Sequence, residues 1–173
     1  MSNLSDFLVG KGYGIKEVLT ASGTWNPANV GNPKKIFVRM IGASGGNAEN
    51  AVGSNGGAGG NTVWDTGAVV ATTTATGGNG ATPTSSAATL SGMPNTTTNQ
   101  IVNPIPNILN SHYGCPNGRK LSQNAGQWGG GYGELKEFEY IPNGTISFTI
   151  GAGGSEGNTN MGDGNQGAIE LYY

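Results

Sequence analysis

The last third of the chain alternates apolar and polar residues at the two-residue period of a β-strand. In the run 145–150, Ile146, Phe148 and Ile150 occupy every second position. A second strand-length run covers 135–141, and a Pro-Asn-Gly turn sequence separates the two. This order predicts a β-hairpin. A further alternating run closes the sequence at 168–173, and the upstream strands are expected to lie beside the hairpin.

Three upstream segments also have strand character. Residues 15–19 predict a first strand, 35–41 predict the clearest one, and strand character resumes from residue 61. In the run 35–41 the side chains alternate between two faces. One face carries Ile36, Val38 and Met40, and the other carries Phe37, Arg39 and Ile41.

Glycine separates the predicted strands and accounts for 33 of the 173 residues. A phosphate-binding loop would need a helix and a suitably placed lysine after the glycines of 42–60, and both are missing from the pattern. A flexible linker is the plain alternative. We expect instead ordered segments packed side by side, either extended loops or polyproline-II-like runs, because glycine lets backbones approach closely. Residues 55–60 and 151–154 are the expected partners.

These patterns predict an all-β fold, namely a small antiparallel β-sandwich or jelly-roll-like domain with long ordered glycine-rich loops. Residues 1–14 are predicted to form an N-terminal arm and 15–173 a glycine-rich β domain with a Thr- and Pro-rich insert at 61–124. The arm carries Phe7, Leu8 and Val9 in an otherwise polar stretch. They predict a peg that docks on a partner, with a frayed terminus as the alternative.

Composition limits the classes of function. Eight Lys and Arg residues oppose ten Asp and Glu residues without a basic stripe, so nucleic-acid binding is not expected. No apolar run approaches the roughly 20 residues of a membrane-spanning helix. No signal peptide is recognised at the start of the sequence. The small core that the pattern allows favours a homo-oligomer, because further surface would be buried between copies.

No catalytic constellation is apparent. His112 and Cys115 form the one cluster of reactive side chains, but one His and one Cys cannot complete a zinc site. A cysteine nucleophile would also need a base and an orienting group in a suitable frame. A packed turn is the simpler interpretation. We therefore predict no enzyme activity, no metal and no cofactor.

Three segments in fixed order resemble the glycine-rich domain of bacteriophage tail-fibre, tail-spike and other minor virion proteins. They are LTASGTW at 19–25, IFVRMIGASGG at 36–46, and EYIPNGTISFTIGAGG at 139–154 followed by the closing run 167–173. The domain typically opens with SGTW, enters polyglycine from a strand, and has a turn-linked hairpin ending in GAGG before a final strand. The resemblance covers roughly 17–60 and 126–173, and the long insert departs from it.

The resemblance implies a non-enzymatic virion protein, made in the host cytoplasm and exposed on the particle. Its arm would contact other virion proteins, and its loops would bind a host surface receptor, either a glycan or an outer-membrane protein. A homo-oligomer, specifically a trimer, is the expectation that the fibre resemblance brings. The alternative is a purely structural assembly or decoration protein of the head, vertex, head–tail or baseplate joint, with the loops packed on neighbouring subunits.

Aromatic side chains set among small residues are the receptor-binding candidates, because their rings stack on sugars or contact protein loops. Those candidates are Trp64, Tyr113, Trp128 and Tyr132. Two other aromatic residues, Trp25 and Phe148, are assigned to the core.

Overall fold

The computed structural model describes residues 15–49, 55–66, 72–82, 127–128, 130–157 and 163–173. These residues contain ten strands and one short 3-10 helix, Pro27–Val30, and no α-helix. The strands are β1 Ile15–Leu19, β2 Gly23–Trp25, β3 Ile36–Ile41, β4 Ala48–Glu49, β5 Thr62–Asp65, β6 Thr73–Ala75, β7 Gln127–Trp128, β8 Leu135–Tyr140, β9 Ile146–Thr149 and β10 Ala168–Tyr172.

Eight of these strands form two four-stranded antiparallel sheets. The first sheet has the order β1-β10-β3-β8 and the second has the order β2-β9-β5-β6. The remaining strands, β4 and β7, pair only with each other. The predicted all-β sandwich is thereby confirmed. Strands β5 and β6 lie in the first third of the predicted insert, so that part of the insert supplies half of the second sheet.

The core lies between the two sheets and is built around Trp64. The Trp64 ring stacks on Phe148 with centroids 6.3 Å apart and meets Trp25 and Tyr140 at 6.0 Å each. The assignment of Trp25 and Phe148 to the core is confirmed. The other buried members of this cluster are Ile36, Val38, Met40, Ala75, Ile146, Ile169 and Leu171.

Strand β3 is buried on both of its faces, as all six of its side chains show. The alternation predicted for it is confirmed, because Ile36, Val38 and Met40 point into the core between the sheets while Ile41 belongs to a separate apolar cluster. Its position in the first sheet, between β10 and β8, explains the pattern. A strand with neighbours on both sides and cover on both faces needs apolar residues at nearly every position.

The predicted hairpin is wrong. Strand β8 pairs with β3 in the first sheet, whereas β9 lies between β2 and β5 in the second. Residues 141–145 therefore cross from one sheet to the other. Both strands carry apolar alternation, and placing them in opposite sheets lets those apolar faces cover each other, as Tyr140, Ile146 and Phe148 do in the core. If both strands lay in one sheet, their apolar faces would need a further layer of structure to cover them.

A row of three charged side chains crosses the first sheet on the face away from this core, and two of them, Arg39 and Glu170, are buried. Glu170 is 1% exposed and is the strand neighbour of Arg39, which in turn neighbours Glu137. Arg39 Nη1 lies 3.6 Å from Glu170 Oε2, and Nε lies 3.1 Å from Glu137 Oε1. The Tyr172 hydroxyl donates a hydrogen bond to Glu170 Oε2 at 2.8 Å. Burial raises the pKa of Glu170, although the hydrogen bond from Tyr172 and the Arg39 charge oppose that rise.

We expect Glu170→Gln to alter how stability depends on pH. A raised pKa in the folded chain means that the contribution of Glu170 to stability is complete below its ordinary value of 4.5 and is lost as the pH rises through the folded pKa. The variant lacks this loss, so its free energy of unfolding relative to the wild type should increase with pH. Urea unfolding at several pH values between 4 and 8 measures this difference, and a difference that stays constant would contradict the expectation.

Candidate functional site

Three excursions of the chain leave one end of the sandwich and return to it. The first leaves after β3 and returns to β5, the second connects β6 to β8, and the third connects β9 to β10. Their described parts are six extended segments, which we call the glycine-rich bundle: residues 42–47, 55–61, 76–82, 130–134, 151–157 and 163–167.

The outer ends of all three excursions meet at the far end of this bundle. Each outward segment is hydrogen-bonded along its length to a returning one, as Gly45 N to Gly131 O at 2.9 Å and Gly164 N to Gly154 O at 2.7 Å illustrate. The connections from 47 to 55, from 82 to 130 and from 157 to 163 therefore begin and end close together. We call this end the bundle tip. Strands β4 and β7 pair there and link the first connection to the second.

Segment 42–47 is the centre of the bundle and bonds to all five other segments. Gly42 and Gly45 donate to one returning segment, at Glu134 O and Gly131 O. Ala43 and Gly46 donate to another, at Gly60 O and Gly57 O, while Ser44 donates to Asn165 O of a third.

The same three-residue step recurs between the other segments, where Gly56 and Gly59 donate to residues 81 and 78, and Gly164 and Gly167 donate to residues 154 and 151. Residues three apart thus bond to the same neighbour, and consecutive residues bond to different neighbours. This period equals the three residues per turn of a polyproline II helix, whose backbone groups point outward.

Close backbone contact explains why this part of the chain needs glycine. A Cβ atom at Gly45 would overlap the carbonyl oxygen of Asn79, and one at Gly133 would overlap that of Gly42. The expected side-by-side packing of ordered glycine-rich segments is present in the described residues. The expected partnership of 55–60 with 151–154 is present as well, since Gly60 N donates to Ala152 O at 2.8 Å.

Small polar side chains inside the bundle complete the hydrogen bonding that the backbones leave open. Ser44 Oγ accepts from Asn165 N at 2.7 Å, and Asn47 Oδ1 accepts from Gly130 N at 3.1 Å. Thr62 Oγ1 donates to Ile41 O at 2.7 Å and accepts from Gly151 N at 3.2 Å. All three side chains are fully or almost fully buried. Their roles were not predicted from the sequence, although a small polar residue among glycines just after a strand, as at Ser44, was a usable signal.

Glu134 links the outgoing and returning segments of the second excursion at the base of the bundle, where they meet the sandwich. Its Oε2 accepts from the Thr76 amide at 3.1 Å and from the Thr76 hydroxyl at 2.9 Å, and its Oε1 lies 2.6 Å from Lys136 Nζ. Burial alone would raise the pKa of Glu134, but the hydrogen bonds from Lys136 and Thr76 outweigh it and lower that pKa.

The structure separates the four aromatic candidates. Tyr132 lies on a returning segment of the bundle and is 42% exposed, so its ring is available to a partner. Trp64 is 0% exposed at the centre of the core, so its selection as a receptor-binding residue was wrong. Trp128 lies in β7 at the bundle tip, where its backbone pairs with Ala48. Tyr113 lies outside the described residues, as do Phe7, Leu8 and Val9 of the arm.

The end of the sandwich opposite the bundle contains the start of β1, which follows the predicted arm in the sequence. Ile15, the first described residue, is the strand neighbour of Tyr172 near the end of β10. The 3-10 helix and the crossing 141–145 lie at this end and border an open groove that includes Pro27, Lys34 and Ile141. Ile141 is 68% exposed and is the most exposed large apolar side chain in the described part of the chain.

The described residues contain neither a metal-binding cluster nor a membrane-spanning helix. No group of three or more His, Cys, Asp and Glu side chains is arranged there to hold a metal ion. Nor does that part of the chain contain a helix of the length and hydrophobicity that crossing a membrane requires. The sequence motif His112 to Cys115 lies outside the described residues.

We expect Gly45→Ala to destabilise the chain strongly, because the new methyl group would push the central segment away from Asn79 and break the bonds around it. Overpacking together with lost hydrogen bonds should cost about 3 kcal/mol or more. Gly23→Ala is the matched control, since its Cβ would meet Phe148 at an ordinary 3.5 Å. Its effect should stay within about 1 kcal/mol. Urea unfolding measures both, and equal effects would contradict the close packing.

Comparisons with known proteins add no relative to this geometry. Protein-family models, curated proteins and solved structures gave no match to the chain.

Proposed function

We propose that this chain is a non-enzymatic bacteriophage virion protein of the tail-fibre or tail-spike type, which attaches the particle to a receptor on the host surface. The observation that carries the proposal is that the two ends of the domain differ. Ile15, which follows the predicted arm in the sequence, lies at one end, and the outer ends of the six bundle segments lie at the other. An attachment protein needs this arrangement, with an anchor on the particle side and variable loops on the host side.

The bundle suits the role of a stiff support for binding loops. Six residues in a polyproline-II-like segment extend about 19 Å at roughly 3.1 Å per residue. Each segment is tied to its neighbours at every turn, for example by Gly46 N to Gly57 O and Gly57 N to Ser155 O. A rigid base reduces the entropy that the loops lose when they bind, which favours affinity for a surface glycan or an outer-membrane protein.

Tyr132 is the contact residue that we propose within the described part of the chain. Its neighbours in the sequence are Gly131 and Gly133, so no large side chain next to it in the sequence shields its exposed ring. An exposed aromatic ring on a fixed backbone stacks well on a sugar or a protein loop. Trp128 and Tyr113 belong to the connection between 82 and 130 and are the further candidates in the same region.

A structural role in particle assembly is the second candidate, and the exposed Ile141 favours it. This side chain lies beside Pro142 and the open groove at the arm end, where a neighbouring virion subunit would cover it. On this alternative the bundle tip also packs on neighbouring subunits. Both candidates include oligomerisation, and we propose a trimer for the fibre-type role.

Replacing residues 84–125 with a short Gly-Ser linker should distinguish the two roles. The outward and returning segments are direct neighbours, with Gly131 N bonded to Asn79 O at 2.7 Å, so a short linker closes the gap without strain. We expect the altered chain to fold and to assemble into particles that no longer adsorb to host cells. Particle yield and adsorption rate are the two measurements. Particles that fail to assemble would support the structural role instead.

Tyr132→Ala should weaken adsorption while leaving stability nearly unchanged, because the ring is exposed and leaves no cavity. If the ring stacks on the receptor, its removal should cost about 1–2 kcal/mol of binding, or roughly tenfold in affinity. Ile141→Ala at the opposite end is the matched control and should adsorb normally. Normal adsorption by the Tyr132 variant would remove this residue from the proposed contact surface.

A further inference from the structure

The crossing between the two sheets contains an exposed Asn-Gly pair with an activating neighbour. Asn143 and Gly144 are both exposed. The hydroxyl group of Tyr140 donates a hydrogen bond to Asn143 Oδ1 at 3.3 Å. Within the described part of the chain, the Gly144 amide donates no hydrogen bond. The side-chain carbonyl is thus polarised while the next backbone nitrogen is open to solvent.

We propose that Asn143 is a site of spontaneous deamidation, promoted by Tyr140. The Gly144 amide loses its proton to hydroxide, and its nitrogen attacks Cγ of Asn143 to form a new C–N bond. The side-chain nitrogen takes up a proton and leaves as ammonia, which gives a cyclic imide. Water then opens the ring at either carbonyl, yielding aspartate or isoaspartate. The net reaction consumes one water, releases one ammonia and needs no other reactant.

Tyr140 promotes the attack by stabilising charge on Oδ1. As the nitrogen adds to Cγ, negative charge develops on this oxygen, and a donor already in place strengthens its bond to it. The ring is held in the core against Trp64, with centroids 6.0 Å apart, so the donor is fixed before the reaction. Burial also raises the pKa of Tyr140, which keeps the hydroxyl protonated in the mildly alkaline range where amide attack is faster.

Two other Asn-Gly pairs in the described residues lie in the bundle, where backbone hydrogen bonds hold each pair in place. At Asn55-Gly56, the Gly56 amide donates to Ala81 O at 2.8 Å, which ties up the attacking nitrogen. At Asn79-Gly80, the Asn79 carbonyl accepts from Gly131 N at 2.7 Å, which holds the peptide between the two residues. Ring closure requires rotation of this peptide, so the bundle should suppress deamidation at both pairs.

The product would change the surface at the arm end of the domain. Asn143 borders the same groove as Lys34 and Ile141, and its conversion places a new carboxylate there. The isoaspartate form also inserts one extra carbon into the main chain between β8 and β9. Both changes act at the junction between the two sheets. They follow from local chemistry and do not depend on the proposed role in host attachment.

Peptide mapping by mass spectrometry of the intact folded chain, kept near pH 8 at 37 °C, tests the proposal. Asn143 should gain one mass unit about tenfold faster than Asn55 and Asn79. A tenfold difference in rate is what one hydrogen bond, gained in the transition state or broken to reach it, produces. In urea the three rates should converge, because only the fold distinguishes them. Isoaspartate must appear with aspartate at position 143, since only the cyclic imide gives both. Equal rates in the folded chain, or aspartate alone, would overturn the proposal.

Tyr140→Phe tests the role of the hydroxyl group while keeping the ring. The conversion of Asn143 should slow by about tenfold, as loss of the donor to Oδ1 implies, while the rates at Asn55 and Asn79 stay unchanged. A general loosening of the fold would accelerate deamidation, so it cannot imitate this result. Asn143→Gln confirms the peptide assignment by removing the signal. An unchanged rate at Asn143 in the Phe variant would overturn the part assigned to Tyr140.

Discussion

The rest of this structure depends on one constraint. The segments of the bundle hydrogen-bond to each other directly through their backbones, with no side chains between them. Buried amide and carbonyl groups need partners, and the bundle supplies them from five neighbouring segments rather than from a sheet. Such packing is possible only where the backbones touch. Gly45 shows the condition, because even a methyl group there would overlap Asn79. The bundle therefore replaces a hydrophobic interior with a dense array of backbone bonds.

The sandwich and the bundle support each other through continuous chain. Strand β3 lies inside the first sheet, and segment 42–47, which follows it directly, is the centre of the bundle. Thr62 makes the same connection from the second sheet, since its hydroxyl bonds to Ile41 O and receives Gly151 N. The apolar core around Trp64 fixes where each excursion leaves and returns. The bundle in turn holds the strand ends together beyond the reach of the core.

This construction gives the domain two unlike ends. The bundle tip brings together the outer ends of six described segments, while the other end carries Ile15, the exposed Ile141 and the exposed Asn143. The proposed attachment role requires this difference, because one end would be anchored to the particle and the other would present loops to the receptor. The buried ionic row of Arg39 and Glu170 lies in the first sheet, away from both ends. Such a row defines strand register better than it adds stability, because desolvation offsets its attraction.

The sequence by itself determined the all-β class and most of the longer strands. Alternation predicted β3, β9 and β10, because the two-residue period follows from strand geometry whatever the neighbours are. Only the tertiary structure decided which sheet each strand joins, and so the hairpin of β8 and β9 was wrong. It also decided that Trp64 is buried while Tyr132 is exposed. Residue type and spacing describe one strand at a time, whereas sheet membership and burial depend on contacts between distant residues.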